Sequence, residues 1–257
     1  MHDHTPDLLA EDIRDSVRTL TLLNGKAHPL SSAMIAALHA ALTRASADPA
    51  TRVLVIAAPG HIFCAGHDLK EIARHRADPD QGRAFLTGLF DACAAMMLAL
   101  ARFPKPTIAM VNGIATAAGL QMVASCDLRF VSDRATFCLP GVVNGGFCTT
   151  PAVGVSRAIS RGAVMELALS GEAMGADWAL RTGLATRVMH PDALADATQA
   201  FAATLATRNP GPIAAGKAAL DAHLGLTLED AYALATPVMV SHFMDEGRLA
   251  REAARLY

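Results

Sequence analysis

Two segments of the chain share one grammar: "VLVIAAPGHIFCAGHDLKEI" at 53–72 and "TIAMVNGIATAAGLQMV" at 107–123. Each opens on an unbroken apolar run, passes a glycine-punctuated turn and continues as an apolar helical pattern. A run with no polar alternation has no face to offer water, so it suits a strand covered on both sides. Such strands belong to parallel sheets, whose connections need a crossover, usually a helix. Two of these units in succession commit the chain to an α/β architecture.

The surrounding pattern agrees. "VRTLTLL" at 17–23 alternates and then turns at "NGKAHP". Ser31 and Ser32 stand where a cap is needed for the helix "AMIAALHAALTRASA". "GRAFLTGLFDACAAMMLALARF" predicts a long helix stopped by Pro104 and Pro106, "LRFVSD" a third strand, and "GLATRVM" at 183–189 a late one. From "PDALADATQAFAATLATRNP" onward the pattern is helical, with Pro210 and Pro212 between two helices. No Gly/Ser linker or internal repeat interrupts the 257 residues.

Composition narrows the function. The net charge of −2 gives no electrostatic footprint for nucleic acid or an anionic membrane. The best membrane candidate, 108–124, is broken by Asn112 and Gln121. Five cysteines, with no CxxC pair and all within apolar runs, indicate neither a disulfide framework nor a zinc site. The acidic opening "MHDHTPDLLAEDIRD" lacks a signal-peptide pattern, and the expectation is a cytoplasmic protein. His2 and His4 read as a solvated terminus rather than metal ligands. Only 18% of residues are charged, which hints at surface covered by subunit contacts.

No phosphate loop, dinucleotide fingerprint, HExxH or GxSxG is present. The two Gly/Ala turns remain. Small residues let a ligand approach the backbone, and the first N–H groups of a helix have no internal partner. Two such turns side by side aim two donors at one point, the arrangement that holds charge developing on a carbonyl oxygen, with the helix dipole adding to it. Tight turns serving packing alone explain the same pattern about equally well.

At these residues the chain resembles the crotonase superfamily, the enoyl-CoA hydratase/isomerase family. The resemblance rests on "TLLNGKAHPLSSAMIAAL", "VLVIAAPGHIFCAGHDLKEI", "FPKPTIAMVNGIATAAGLQMVASCDLRFVSDRATF" and "ALSGEAMGADWALRTGLATRVMHPDAL". The combination "AGHDLKE", an amide at 121 and "FCTTP" is similar to the branch called enoyl-CoA hydratase domain-containing protein 3. The resemblance implies an α/β spiral of ββα units over 1–195 and a C-terminal helical region, 196–257, that builds trimers or hexamers. It implies an acyl-CoA thioester as ligand, with coenzyme A arriving as part of the substrate and no permanent cofactor or metal. The thioester oxygen is expected between the backbone N–H groups of His67 and Ala118. Ala65, Asp68 and Leu69 are expected along the adenine and pantetheine parts, with Lys26 and Lys70 as phosphate neighbours.

Two departures matter. The positions where hydratases of this family carry their two glutamates fall on Gln121 and Gly141, and neither can move a proton near neutral pH. Classical hydration is therefore doubtful. Cys148 stands where some relatives carry an aspartate, and serves as nucleophile or acid/base if its pKa is lowered, or as a small buried thiol otherwise. Gly141 and Asn144 are expected beside the acyl group. Asp127 and Trp178 read as structural. The alternative to an enzyme is an inactive acyl-CoA-binding or assembly protein of the same fold.

Overall fold

The computed structural model describes residues 8–254, so His2 and His4 lie outside the described residues. Along the chain run β1 (Leu9–Arg14), β2 (Val17–Leu22), α1 (Ser32–Ala47), β3 (Val53–Ala57), β4 (Ile62–Cys64), α2 (Leu69–Arg74) and α3 (Arg83–Ala101). Next come β5 (Thr107–Val111), β6 (Ile114–Thr116), α4 (Ala118–Ala124), β7 (Leu128–Ser132) and β8 (Thr136–Cys138). They are followed by α5 (Thr149–Ala158), α6 (Arg161–Ser170), β9 (Met174–Gly175), α7 (Ala176–Thr182), β10 (Arg187–Met189) and α8 (Pro191–Ala206). Three helices end the chain: α9 (Pro210–His223), α10 (Leu228–Phe243) and α11 (Glu246–Ala253).

The strands form two sheets, one ordered β1-β2-β3-β5-β7-β10 and one ordered β4-β6-β8-β9. Each unit sends its first strand to the large sheet, its second to the small sheet and then a helix back. Between successive units the pairing is parallel: Val55 of β3 stands opposite Ile108 of β5, and Ile114 of β6 opposite Thr136 of β8. This is the expected α/β spiral of ββα units. Every residue of β3 is buried, which is why its sequence lacks alternation. The largest core cluster packs α1, α3 and α4 around Phe63, Phe103 and Phe137, and α8 covers the other face of the large sheet through Leu194 and Ala202.

Two differences from the sequence reading have physical causes. β1, within the acidic opening, is an exposed edge strand paired antiparallel with β2, so its ladder rather than its composition makes it a strand. The stretch 108–124 is two strands and a helix. Among the described residues the helix whose length and apolar composition would suffice to cross a membrane is α3, and its Leu89, Met96 and Leu100 are buried in the core.

The chain divides into two compact units between Ala206 and Thr207. In the second unit α9 and α10 bury no residue, while Leu220, Leu224, Leu228, Tyr232 and Met239 are exposed. Its ends are capped locally: Asn209 accepts from Gly211 N and also donates to Asp245 at 2.9 Å.

Candidate functional site

The turn after β4 is held from below by the turn after β2. Ala65 N donates to Ala27 O at 3.0 Å, Leu30 N to Gly66 O at 2.8 Å and Asp68 N to Leu30 O at 3.2 Å. Leu30 and His67 thus form a parallel bridge. In such a bridge the middle residue turns its own N–H to the opposite edge, so the His67 N–H points away from the 27–30 segment. The brace includes His28, buried and at φ 46°, whose Nε2 lies 3.2 Å from Pro59 O.

The second turn leads from β6 into α4, whose first helical bond is Gln121 N to Ala117 O. Ala118 therefore precedes the ladder, and its N–H has no hydrogen-bond acceptor among the described residues although the residue is fully buried. Buried backbone donors without a partner are rare, and this one is free to serve an acceptor from outside the chain. Ala117 aims it from φ 51°, ψ −122°, a conformation that L residues disfavour. It is fixed there by donating to Cys138 O at 3.0 Å.

The turns interlock. A β-carbon on Gly66 would lie 3.3 Å from Ala118 N and 3.0 Å from the Ala117 β-carbon, and Gly66 itself needs φ +85°. A β-carbon on Gly119 would fall into the Cys64 carbonyl, 2.8 Å from its carbon. Glycine at both places lets one turn seat on the other, bringing the segment that carries His67 against the start of α4. The glycines were visible in the sequence, but Ala117 was not: an alanine at positive φ leaves no compositional trace.

The remaining candidates fall around this pair. Gln121 is 7% exposed, and its Oε1 is buried without a hydrogen-bond partner. Its Cγ lies 3.3 Å from where a β-carbon on Gly154 of α5 would stand. Cys148 caps the other end of this wall as the residue before α5, buried, and burial raises its thiol above the ordinary value, against a Gly141 N–H that pulls it down. It is a neutral thiol near pH 7, not the low-pKa thiolate that a nucleophilic role requires. Burial likewise pushes Cys64 up to about 12. The side chain of His67 meets Phe90 of α3 edge-on at 5.1 Å. Burial depresses its pKa, opposed by the Leu30 carbonyl and the Glu71 carboxylate.

Asp68 accepts from Lys70 N at 2.9 Å and Glu71 N at 3.2 Å, capping α2. Leu69 and Lys70 are exposed at the start of α2, and Lys26 is exposed on the turn after β2. Asn144 donates to Pro140 O at 3.3 Å and satisfies its own turn. Asp127 accepts from Thr107 N and Oγ1, and Trp178 donates to Glu166, both structural. Two open clefts of about 310 and 400 Å³ lie between α1 and α3 and include none of the candidate residues. Among the described residues no group of three His, Cys, Asp or Glu side chains could hold a metal ion.

The enoyl-CoA hydratase/isomerase profile matches residues 12–252. The chain belongs to the enoyl-CoA hydratase/isomerase family. It is 36% identical over 250 residues to enoyl-CoA hydratase domain-containing protein 3, mitochondrial, of Rattus norvegicus, covering 96% of this chain and 82% of that one. It is 34% identical to the crystal structure of the human protein of that name, with a TM-score of 0.90 and 97% of each chain covered. An enoyl-CoA hydratase/isomerase family structure from Silicibacter pomeroyi is 60% identical, with a TM-score of 0.88 and 93% and 99% of the chains covered.

Gly141 has no room for any side chain, because a β-carbon there would stand 2.5 Å from Cys148 N and 2.7 Å from the Phe147 carbonyl carbon. The loop from Pro140 to Cys148 is folded around a glycine, with Gly146 N donating to Gly141 O at 2.9 Å. At 121 the chain holds a neutral amide, which exchanges no proton near neutral pH.

Proposed function

We propose that this chain is an acyl-coenzyme A thioester enzyme that stabilises an enolate. The thioester oxygen is held by the N–H groups of His67 and Ala118, and Gln121 and Cys148 line the acyl end. Negative charge moving onto that oxygen as the α-carbon loses a proton, or as a group leaves or adds at the β-carbon, is met by donors that need no reorganisation. Coenzyme A arrives with the substrate. Ala65, Asp68 and Leu69 lie along its adenine and pantetheine parts, Lys26 and Lys70 serve its phosphates, and no permanent cofactor or metal takes part. The observation that carries this reading is the fully buried Ala118 N–H, without an acceptor, held against the turn that carries His67.

The reaction is an isomerisation, elimination, addition or related lyase step. Without carboxylates at 121 and 141 it lacks two groups that each contribute about 10²–10⁴-fold in acid/base catalysis. That absence favours a second reading, a thioester-binding protein without turnover. A panel of acyl-CoA thioesters separates the two. Thermal stabilisation, about 2.7 kcal/mol at 100 times Kd, is expected for a cognate ligand, and loss of enoyl absorbance with crotonyl-CoA reports turnover. Binding without turnover of any thioester selects the second reading, and no stabilisation by any thioester overturns both.

The exposed apolar side chains of α9 and α10 favour a homotrimer or hexamer, which light scattering would resolve. Five free cysteines, four of them buried, favour a cytoplasmic, reducing setting.

A further inference from the structure

Neither Gln121 nor Gly141 can move a proton, yet one titratable side chain stands at the donor pair itself. His67, whose N–H serves the oxygen in the reading above, also carries an imidazole. The ring hangs from the same Cα as that N–H, so it lies within a few ångströms of any acyl group held there. The residue is half-buried, and its Nδ1 is buried with no hydrogen-bond partner. A buried polar atom left alone destabilises a folded chain, so natural proteins seldom keep one without a use. The setting narrows that use. Phe90 of α3 meets the ring edge-on at 5.1 Å. Burial holds its pKa below the ordinary value, so near pH 7 the ring is neutral and has a lone pair to give. The charged group that acts on it is Glu71 of α2, whose carboxylate favours the protonated ring. Glu71 is itself fixed by accepting from Ser32 N, at the start of α1, at 2.8 Å. The other neighbours, Phe90 and the Leu30 carbonyl, do not titrate. A neutral base beside a fixed carboxylate is the pairing that acid/base catalysis uses.

We propose that the His67 imidazole is a catalytic residue, the base that takes the α-proton of the thioester whose oxygen its own N–H holds. This rests on the thioester reading of the site. The proton passes from the thioester α-carbon to the lone pair on Nδ1. The C–H electron pair becomes the carbon–carbon double bond of the enolate, and the carbonyl pair moves onto the oxygen between the N–H groups of His67 and Ala118. The imidazolium then returns the proton to carbon. Charge is conserved throughout, because the cation forms on the ring as the anion forms on the oxygen, and each stabilises the other at short range. Glu71 is a positioning residue: it moves no proton and supports the imidazolium while it lasts.

The test is exchange of α-hydrogens in heavy water, read by mass spectrometry, for acetyl-CoA, butyryl-CoA and phenylacetyl-CoA. It is run with wild type, His67→Gln, His67→Phe and Glu71→Gln, beside isothermal titration of the same thioesters. Wild type is expected to exchange the α-hydrogens of at least one thioester that it binds. Both His67 variants are expected to lose about 10²–10⁴-fold of that rate. Their Kd is expected to stay near the wild type's, because the N–H they keep belongs to the backbone. The wild-type rate is expected to fall as pH drops below about 6.5, the ordinary histidine value. In Glu71→Gln the midpoint of that fall is expected to move to lower pH with exchange retained, since the carboxylate that favours the protonated ring is gone. A side chain serving only packing would shift melting temperature and Kd without moving a pH midpoint. Exchange at the wild-type rate in either folded His67 variant, exchange lost only in step with binding, or no exchange of any bound thioester overturns the proposal. Failure to bind any thioester overturns instead the reading on which it rests.

Discussion

A β-carbon on Gly141 would stand 2.5 Å from the backbone nitrogen of Cys148. A carboxylate side chain therefore cannot be placed there by exchanging the residue alone. Gly141→Ala is expected to cost about 1–3 kcal/mol through overpacking and to lower the melting temperature by several degrees. Gly141→Glu, alone or with Gln121→Glu, is expected to gain no hydration of crotonyl-CoA. A double variant with hydratase turnover would show that the 140–148 loop opens where these contacts say it is closed.

The seat between the two turns tests the proposed pair of donors. Gly66→Ala meets both a positive φ of +85° and the Ala117 β-carbon at 3.0 Å, and Gly119→Ala meets the Cys64 carbonyl. Each is expected to destabilise the fold by about 1–3 kcal/mol. Each also parts His67 from Ala118, so thioester binding is expected to fall in the folded fraction. Ala117→Gly separates strain from contact. Relief at φ 51° is worth about 1–3 kcal/mol against about 0.5–1 for the added chain entropy, so stability is expected to hold or rise. A fall of more than 1 kcal/mol in urea denaturation would mean that packing of its methyl outweighs the strain.

What the sequence made legible follows from which residues make their contacts locally. β3 and β5 were read because burial on both faces removes alternation, and α1 because Ser31 caps it where its apolar spacing begins. β4, β6 and β8 are three residues each, too short to display a repeated period, and exist because each ladders on the next. The positions of His67 and Ala118 followed from glycine-rich turns and from resemblance. What was hidden came from approach of chain that is not a sequence neighbour: the positive φ of Ala117, the closed space at Gly141 and the unpaired oxygen of Gln121 all depend on chain six or more residues away.

Cys148 is expected to react slowly. Its thiol is raised above its ordinary value by burial, so near pH 8 the thiolate fraction is small and access poor. Alkylation by iodoacetamide in the native protein is expected to lag an unfolded control by at least tenfold. Cys148→Ala is then expected to retain thioester binding. Rapid, single-site labelling at Cys148 would restore a nucleophilic reading of this residue.

His67 carries the pH prediction. Burial holds the folded-state pKa below the ordinary 6.5, so the folded ring resists a proton that the unfolded ring accepts. Above about 6.5 both states are neutral and nothing is lost. As pH falls through that value the unfolded chain binds the proton first, and stability declines until the folded pKa is reached. The urea midpoint is therefore expected to drop between pH 7.5 and 5.5. Part of the drop should vanish in His67→Leu, which keeps an apolar contact with Phe90 but cannot titrate. The ring belongs to the residue whose N–H faces the proposed thioester oxygen, so a bound ligand is expected to flatten the same pH dependence if protonation moves that segment. An identical pH slope in wild type and His67→Leu would show that the ring titrates alike in both states and that its burial does not persist in solution.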